Sequence, residues 1–413
     1  MINDPYATAL ELGIMEGFPP PAGKRVDRTN ALMEPPYNRW SYLHMRSVFP
    51  SAAVSNSTTP RPVDIEIDSR IGELTVARAD GSVAQFRDFL RETYTDAFVV
   101  VTPEALVYEH YDNGMTPIHP HQMMSVTKSF AGLFALMAVA DGRIEEDAQV
   151  TDVIPELAAA SAFAGATIGQ VLDMVNSMDF SEDYADPASS ISRYGRALGW
   201  VEDTGETSAE GLYDFLVTLK KDPAHEHGDI FRYQTPKTDV VNWITNRATG
   251  KSFQDLMSEV LWLPLGTEAE TYVLLDRRGT LVAGGGLNAN PRDLARFAMM
   301  LLNNGAAGER QIVSPAIIHT LRSGGSRAAF MRGPETVGLS AAGDWSYRAQ
   351  WWIRHTYGRE AISAIGIHGQ WIYVDCARGV AIVKQSSLPR SVDVDIDQYV
   401  INAFDAVIGH LAG

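Results

Sequence analysis

A single cysteine in 413 residues, Cys376, excludes an intramolecular disulfide and any zinc cluster built on thiolates. It sits in Asp375-Cys376-Ala377-Arg378-Gly379, which reads as a hairpin turn and the setting of an unreactive thiol. Basic charge is also scarce: 34 Lys and Arg face 51 Asp and Glu, for a formal net charge of −17. That sign repels phosphate backbones and anionic lipid, so neither a nucleic-acid nor a membrane partner is expected. No apolar run reaches the roughly 18 residues that a membrane-spanning helix needs. The first 24 residues lack a basic start followed by an apolar stretch and carry Asp4, Glu11 and Glu16. No secretory signal is read there, and a soluble cytoplasmic protein is the default. His119-Pro120-His121 and His225-Glu226-His227 fall outside helical metal-ligand spacing and lack a third ligand, so no metal is expected. Gly284-Gly285-Gly286 lacks the strand-to-helix setting of a phosphate loop. No Gly-x-Ser-x-Gly elbow occurs, which removes the usual α/β-hydrolase reading. No organic cofactor is expected.

What is present is ordinary globular material, 45% hydrophobic and 21% charged, in a chain long enough for two domains or one large elaborated one. Residues 1–60 are rich in Pro, Asn and Ser and read as an extended arm packed on the body, with Trp40, Tyr42 and Phe49 as anchors. Phe86, Phe89, Leu90 and Tyr94 have helical spacing within Val83 to Tyr94. Strands at 97–101 and 105–111 join through a turn into an antiparallel hairpin. Short helical runs dominate 146–269, and a strand is expected at 272–275. Asn290-Pro291 starts a helix that Asn304-Gly305 ends. Strands return at 350–354, 362–367, 371–375 and 380–384 before an amphipathic terminal helix. Asp393, Asp395 and Asp397 read as a solvated lead-in to that helix. The expected fold is α/β (α+β): an antiparallel sheet from 61–145 and 270–413 flanked by helices, with a mostly helical domain inserted at 146–269.

The chemistry centres on Met124-Ser125-Val126-Thr127-Lys128-Ser129. Residues i and i+3 share a helix face, so Ser125 and Lys128 can meet over one turn. A serine needs a base, and a buried lysine becomes one because desolvation disfavours its charged form. A helix start also leaves backbone N–H groups unpaired near any developing negative charge. The plain alternative is that Ser125 caps the helix. Two further stretches bear on the choice. Tyr233, in Phe231-Arg232-Tyr233-Gln234, is a phenol just before a helix expected near Thr238-Asp239, and could relay a proton or simply pack. Gly366-Ile367-His368-Gly369 flanks an apolar residue with glycines that admit close approach, by a ligand at a strand edge or by a bulge.

With these pieces in this order, the chain resembles the penicillin-recognising serine hydrolases, whose signature is Ser-x-x-Lys. It is more closely similar to the class C β-lactamase-like branch that contains 6-aminohexanoate-dimer hydrolases and related esterases. Further resembling segments are Pro36-Tyr37-Asn38-Arg39-Trp40, Glu182-Asp183-Tyr184, Thr238-Asp239, Arg292-Asp293-Leu294 and Gln350-Trp351-Trp352. The resemblance implies an acyl-enzyme on Ser125, proton transfer by Lys128 and Tyr233, and an oxyanion hole from the backbone N–H groups of Ser125 and Ile367. It places Tyr184, Gly195, Gly284, Trp352 and His368 around a small-molecule amide or ester. Gly195 stands where active amide hydrolases of this branch carry an acidic side chain that can pair with the substrate's ammonium group, and Gly284 where they carry a polar one, which shifts the expectation toward esters. A carboxylesterase with little amidase activity and a non-catalytic binding protein are the alternatives. β-Lactamase activity is not implied, because Ala364 to Gln370 contains no lysine. A homodimer is left open.

Overall fold

The computed structural model describes residues 4–202, 209–334 and 344–413, apart from the side chain of Tyr357. The parts of the expected arm and domains at 1–3, 203–208 and 335–343 lie outside them. The main sheet has eight strands: β1 (Asp64–Ile65), β2 (Thr95–Val101), β3 (Ala105–Tyr111), β4 (Trp345–Arg348), β5 (Trp351–Arg354), β6 (Ala361–Gly366), β7 (Gln370–Asp375) and β8 (Val380–Ser386). Their order is β4-β5-β6-β7-β8-β2-β3-β1, with both chain regions meeting where β8 pairs antiparallel with β2. Among the described residues, only the short edge pair of β1 with β3 is parallel in this sheet.

Strand alternation sets the layers. In β2, Ala97, Val99 and Val101 enter one core, while Phe98 and Val100 enter the other. The second core is covered by Phe86–Glu92 and the terminal helix Val394–Ala412, through Phe86, Phe89, Tyr399 and Phe404. The first core holds the helices Val126–Ala140 and Pro291–Leu302 and continues into short helices between Val150 and Leu265. Burying a side chain of this size contributes about 1.5–3 kcal/mol, so two such faces supply most of the stability. No described helix is long and apolar enough to cross a membrane.

Several local expectations are corrected. The stretch at Val83–Gln85 is a strand paired with Thr75–Ala77, and the helix begins only at Phe86. The strand Thr271–Leu274 belongs to a separate four-stranded sheet with Ser51–Val54, Leu287–Ala289 and His121–Gln122. Strand β4 was not expected at all. Asp393 does cap the terminal helix, accepting from the Ile396 N–H, but Asp397 lies half-buried within the helix rather than in a solvated lead-in. Burial, with the Asp393 charge beside it, pushes its carboxyl up to about 7, against the opposing charge of Lys384. Cys376 does lie in the β7–β8 turn, and burial pushes its thiol up to about 11.

Two devices position the central helix. The arm is held by Asn38, whose amide donates to the Leu388 carbonyl (2.8 Å), and by the buried pair Arg39–Asp96 (3.2 Å). Asp96 also receives His121 Nε2 (3.0 Å) and the Ser387 hydroxyl (2.6 Å). On the other side, Ala349 and Gln350 adopt positive φ (48° and 66°) to bring their turn against the helix. Gln350 then accepts from the Ser129 and Thr238 hydroxyls (2.8 and 2.7 Å) and donates to the Leu172 carbonyl (2.7 Å). Gly132 makes this approach achievable: a Cβ there would lie 1.9 Å from the Ala349 carbonyl oxygen. Gly132→Ala is therefore expected to destabilise by about 1–3 kcal/mol or more, as overpacking against backbone does. Calorimetry should show a lowered Tm; an unchanged Tm would refute the clamp.

Candidate active site

The helix Val126–Ala140 starts from a strained turn. Met124 has φ 46°, a left-handed conformation that costs a non-glycine residue on the order of 1 kcal/mol. Thr127 ties the turn down: its hydroxyl donates to the Met124 carbonyl (2.6 Å) and accepts from the Leu287 N–H (3.0 Å). Ser125 makes no side-chain capping bond, so the capping alternative fails. Its hydroxyl instead accepts from Lys128 Nζ at 2.8 Å.

Lys128 is 1% exposed, and its amine also donates to the Gly284 carbonyl. Burial pushes its pKa down to about 8, against the opposing pull of the Glu182 and Asp239 charges. The Tyr233 ring lies 5.2 Å from Nζ, on the same side as Ser125. Burial, and secondarily the Glu182 charge, raises that phenol well above its ordinary value. Tyr233 precedes a helix that begins at Pro236, earlier than expected, which sets Asp239 in its first turn.

Ser125 opens onto a mostly apolar cavity. Ser125, Tyr184, Gly195, Gly284 and Ile367 line it, as do Leu32 and Met33 from the arm. The Tyr184 hydroxyl donates to Glu182 (2.7 Å), which also accepts from the Thr235 N–H and hydroxyl. Gly366 packs tightly behind Ser125: a Cβ there would stand 2.6 Å from the Met123 carbonyl oxygen and 3.1 Å from the Ser125 nitrogen. That contact draws the Ile367 segment up to the Ser125 turn, so glycine here serves close approach rather than a bulge.

Two expected pocket residues do not reach the cavity. His368 is fully buried at φ 60°, with Nδ1 against the Leu388 carbonyl (2.7 Å) and its ring edge-on to Tyr42. The left-handed backbone turns it away from the site. Trp352 points to the opposite core, where it stacks on Tyr233 (5.4 Å, 25°) and supports that ring from behind. Sequence reasoning gave no role to Glu182, Asp239 or Tyr194, although the first two fall inside resembling segments. Among the described residues no cluster of His, Cys, Asp and Glu is arranged to hold a metal ion.

Residues 85–405 match the family described as Beta-lactamase. The chain belongs to that family. It is a hydrolase of the family, with the expected β-lactamase-like α+β fold. It is 35% identical over 359 residues to a 6-aminohexanoate-dimer hydrolase of Paenarthrobacter ureafaciens, covering 86% of this chain and 87% of that one. A candidate 6-aminohexanoate-dimer hydrolase from Bacillus anthracis superposes with a TM-score of 0.84 at 30% identity, covering 95% and 98% of the two chains. A penicillin-binding-protein homologue from Caulobacter crescentus shares the fold at 16% identity, with a TM-score of 0.59 over 84% of this chain and all of that one.

Proposed function

We propose that the chain hydrolyses small linear amides or esters through an acyl-enzyme on Ser125. The observation that carries this is the 2.8 Å contact between Ser125 Oγ and a desolvated Lys128 amine at the floor of a cavity. With the amine neutral, the same separation lets its lone pair take the serine proton as Oγ attacks the carbonyl carbon. The backbone N–H groups of Ser125 and Ile367 receive the oxyanion, each worth on the order of 3 kcal/mol of barrier. The proton taken by Lys128 passes through Tyr233, whose ring lies 5.2 Å from the amine, to the departing amine or alcohol, so that both groups end as they began. Water then repeats the sequence on the acyl group and frees Ser125. Kinship with a 6-aminohexanoate-dimer hydrolase supports the linear amide as substrate class.

The second reading, an esterase with little amidase activity, is favoured by the cavity wall. Leu32, Met33, Ile191, Trp200, Val201 and Val282 make most of it apolar, and glycine occupies 195 and 284. An alcohol leaves more readily than an amine and needs fewer polar contacts. Rates on a nitrophenyl ester and on the linear 6-aminohexanoate dimer separate the two.

An acidic side chain restored at Gly195 should favour the amide. A Cβ at Gly195 would lie 2.8 Å from Val201 Cγ2, so an acidic side chain there needs Val201 to yield. Gly195→Asp combined with Val201→Ala is expected to raise the dimer rate relative to the ester rate about tenfold, the worth of roughly 1.4 kcal/mol. Gly195→Asp alone should gain less. No gain in the double variant would show that Gly195 does not face the substrate's ammonium end.

A further inference from the structure

The site contains one buried carboxylate that the acyl-transfer scheme leaves unused. Asp239, 1% exposed, accepts from the Gly284 N–H at 3.0 Å and from the Tyr194 hydroxyl at 2.7 Å. The Gly284 carbonyl in turn accepts from Lys128 Nζ. One residue thus links the acid to the amine, and only glycine fits there. A Cβ on Gly284 would lie 2.6 Å from Thr235 Cγ2, 3.0 Å from the Tyr194 hydroxyl and 3.1 Å from Asp239 Oδ2. Gly284 is therefore more than a lost polar contact. Its missing side chain lets the peptide seat against the Tyr194–Asp239 pair.

We infer that Asp239 is a positioning residue for Lys128: it fixes the Gly284 carbonyl that pins the amine, and its charge opposes loss of the amine's proton. A neutral amine has two N–H bonds and one lone pair. With one N–H fixed on the Gly284 carbonyl, the lone pair can be turned onto the Ser125 hydroxyl. The charge works alongside this geometry. Burial pushes the Asp239 carboxyl up to about 6, still below the range where Lys128 becomes neutral, so Asp239 is an anion there. The groups facing Asp239 are Tyr194 from helix Ser190–Leu198, Tyr213 from helix Leu212–Leu216, and Lys128. Those facing Lys128 are Asp239, Glu182 and the Tyr233 ring. Glu182 is bonded to Thr235 and Tyr184 and remains in place when Asp239 is changed.

This inference rests on Lys128 serving as the base, and the test separates it from that reading. The test is the pH profile of kcat/KM on a short-chain nitrophenyl ester. Asp239→Asn keeps an acceptor for Gly284 and a partner for Tyr194 while removing the charge. The amine then loses its proton more readily, and the acid limb moves to lower pH by about one unit. Asp239→Ala also frees Gly284, and kcat should fall about tenfold or more with KM little changed. Tyr194→Phe removes a bond that stabilises the Asp239 anion, so its acid limb should move the same way by a smaller step. It supplies the answer if Asp239→Asn does not fold. Acid limbs at the wild-type position in the folded variants would overturn the inference. Failure of a fluorophosphonate probe to label Ser125 in the wild-type protein would instead overturn the acyl-transfer reading, and this inference with it.

Discussion

Ser125→Ala should lower kcat on a short-chain nitrophenyl ester by about 10⁴-fold or more, the scale seen when an acyl-forming hydroxyl is lost and the oxyanion donors stay. The fold should be unaffected. Ser125 makes no capping bond to its helix, and the turn that presents it is secured by Thr127, Gly366 and the Gln350 clamp. The melting temperature of the variant should match wild type, which excludes misfolding as the cause of lost turnover. Residual activity near wild type would mean that the nucleophile lies elsewhere and would remove the mechanism altogether.

The second large effect concerns the base. Lys128→Ala should lower the steady-state rate about 10³-fold, within the range of a positioned general base, and should abolish the acylation burst. The wild-type pH dependence carries a sign that follows from burial. As the proposed base, Lys128 would act only when neutral, and desolvation has brought its pKa from 10.5 to about 8. Each unit of that descent multiplies the neutral fraction at neutral pH about tenfold. Below about pH 8 the rate should therefore fall as pH falls, and it should level off above. A burst that survives in Lys128→Ala, or a flat profile through that region, would show that another group accepts the serine proton.

The parts of the site that were legible in the sequence are those packed into short spans. Ser125 and Lys128 are three residues apart on one helical turn, so a local spacing rule brings them together. Tyr233 and Ile367 needed the resemblance, because their distance from Ser125 is closed by the sheet and not by local geometry. The Asp239–Tyr194–Gly284 chain was not legible. Its hydrogen bonds join residues 45 positions apart, and nothing in the local pattern marks them as partners. His368 and Trp352 were misplaced for backbone reasons. A positive φ turned His368 away from the cavity, and strand alternation sent Trp352 to the far core. The layered sheet was readable from runs such as 97–101. Of the small second sheet only the strand at 272–275 was readable; its partners are two to four residues long and carry too little pattern.

The arm has a bearing that its distance from the nucleophile conceals. Leu32 and Met33 form part of the cavity wall, yet they belong to none of the elements that carry Ser125, Lys128 or Tyr233. They are seated through the Tyr42 hydroxyl, which donates to the Leu32 carbonyl at 2.8 Å, and through the Asn38 and Arg39 anchors. Part of the cavity wall is thus carried on a stretch of chain separate from Ser125, Lys128 and Tyr233. Substitutions at Leu32 and Met33 could reshape the space a ligand meets while leaving the proposed reacting groups in place.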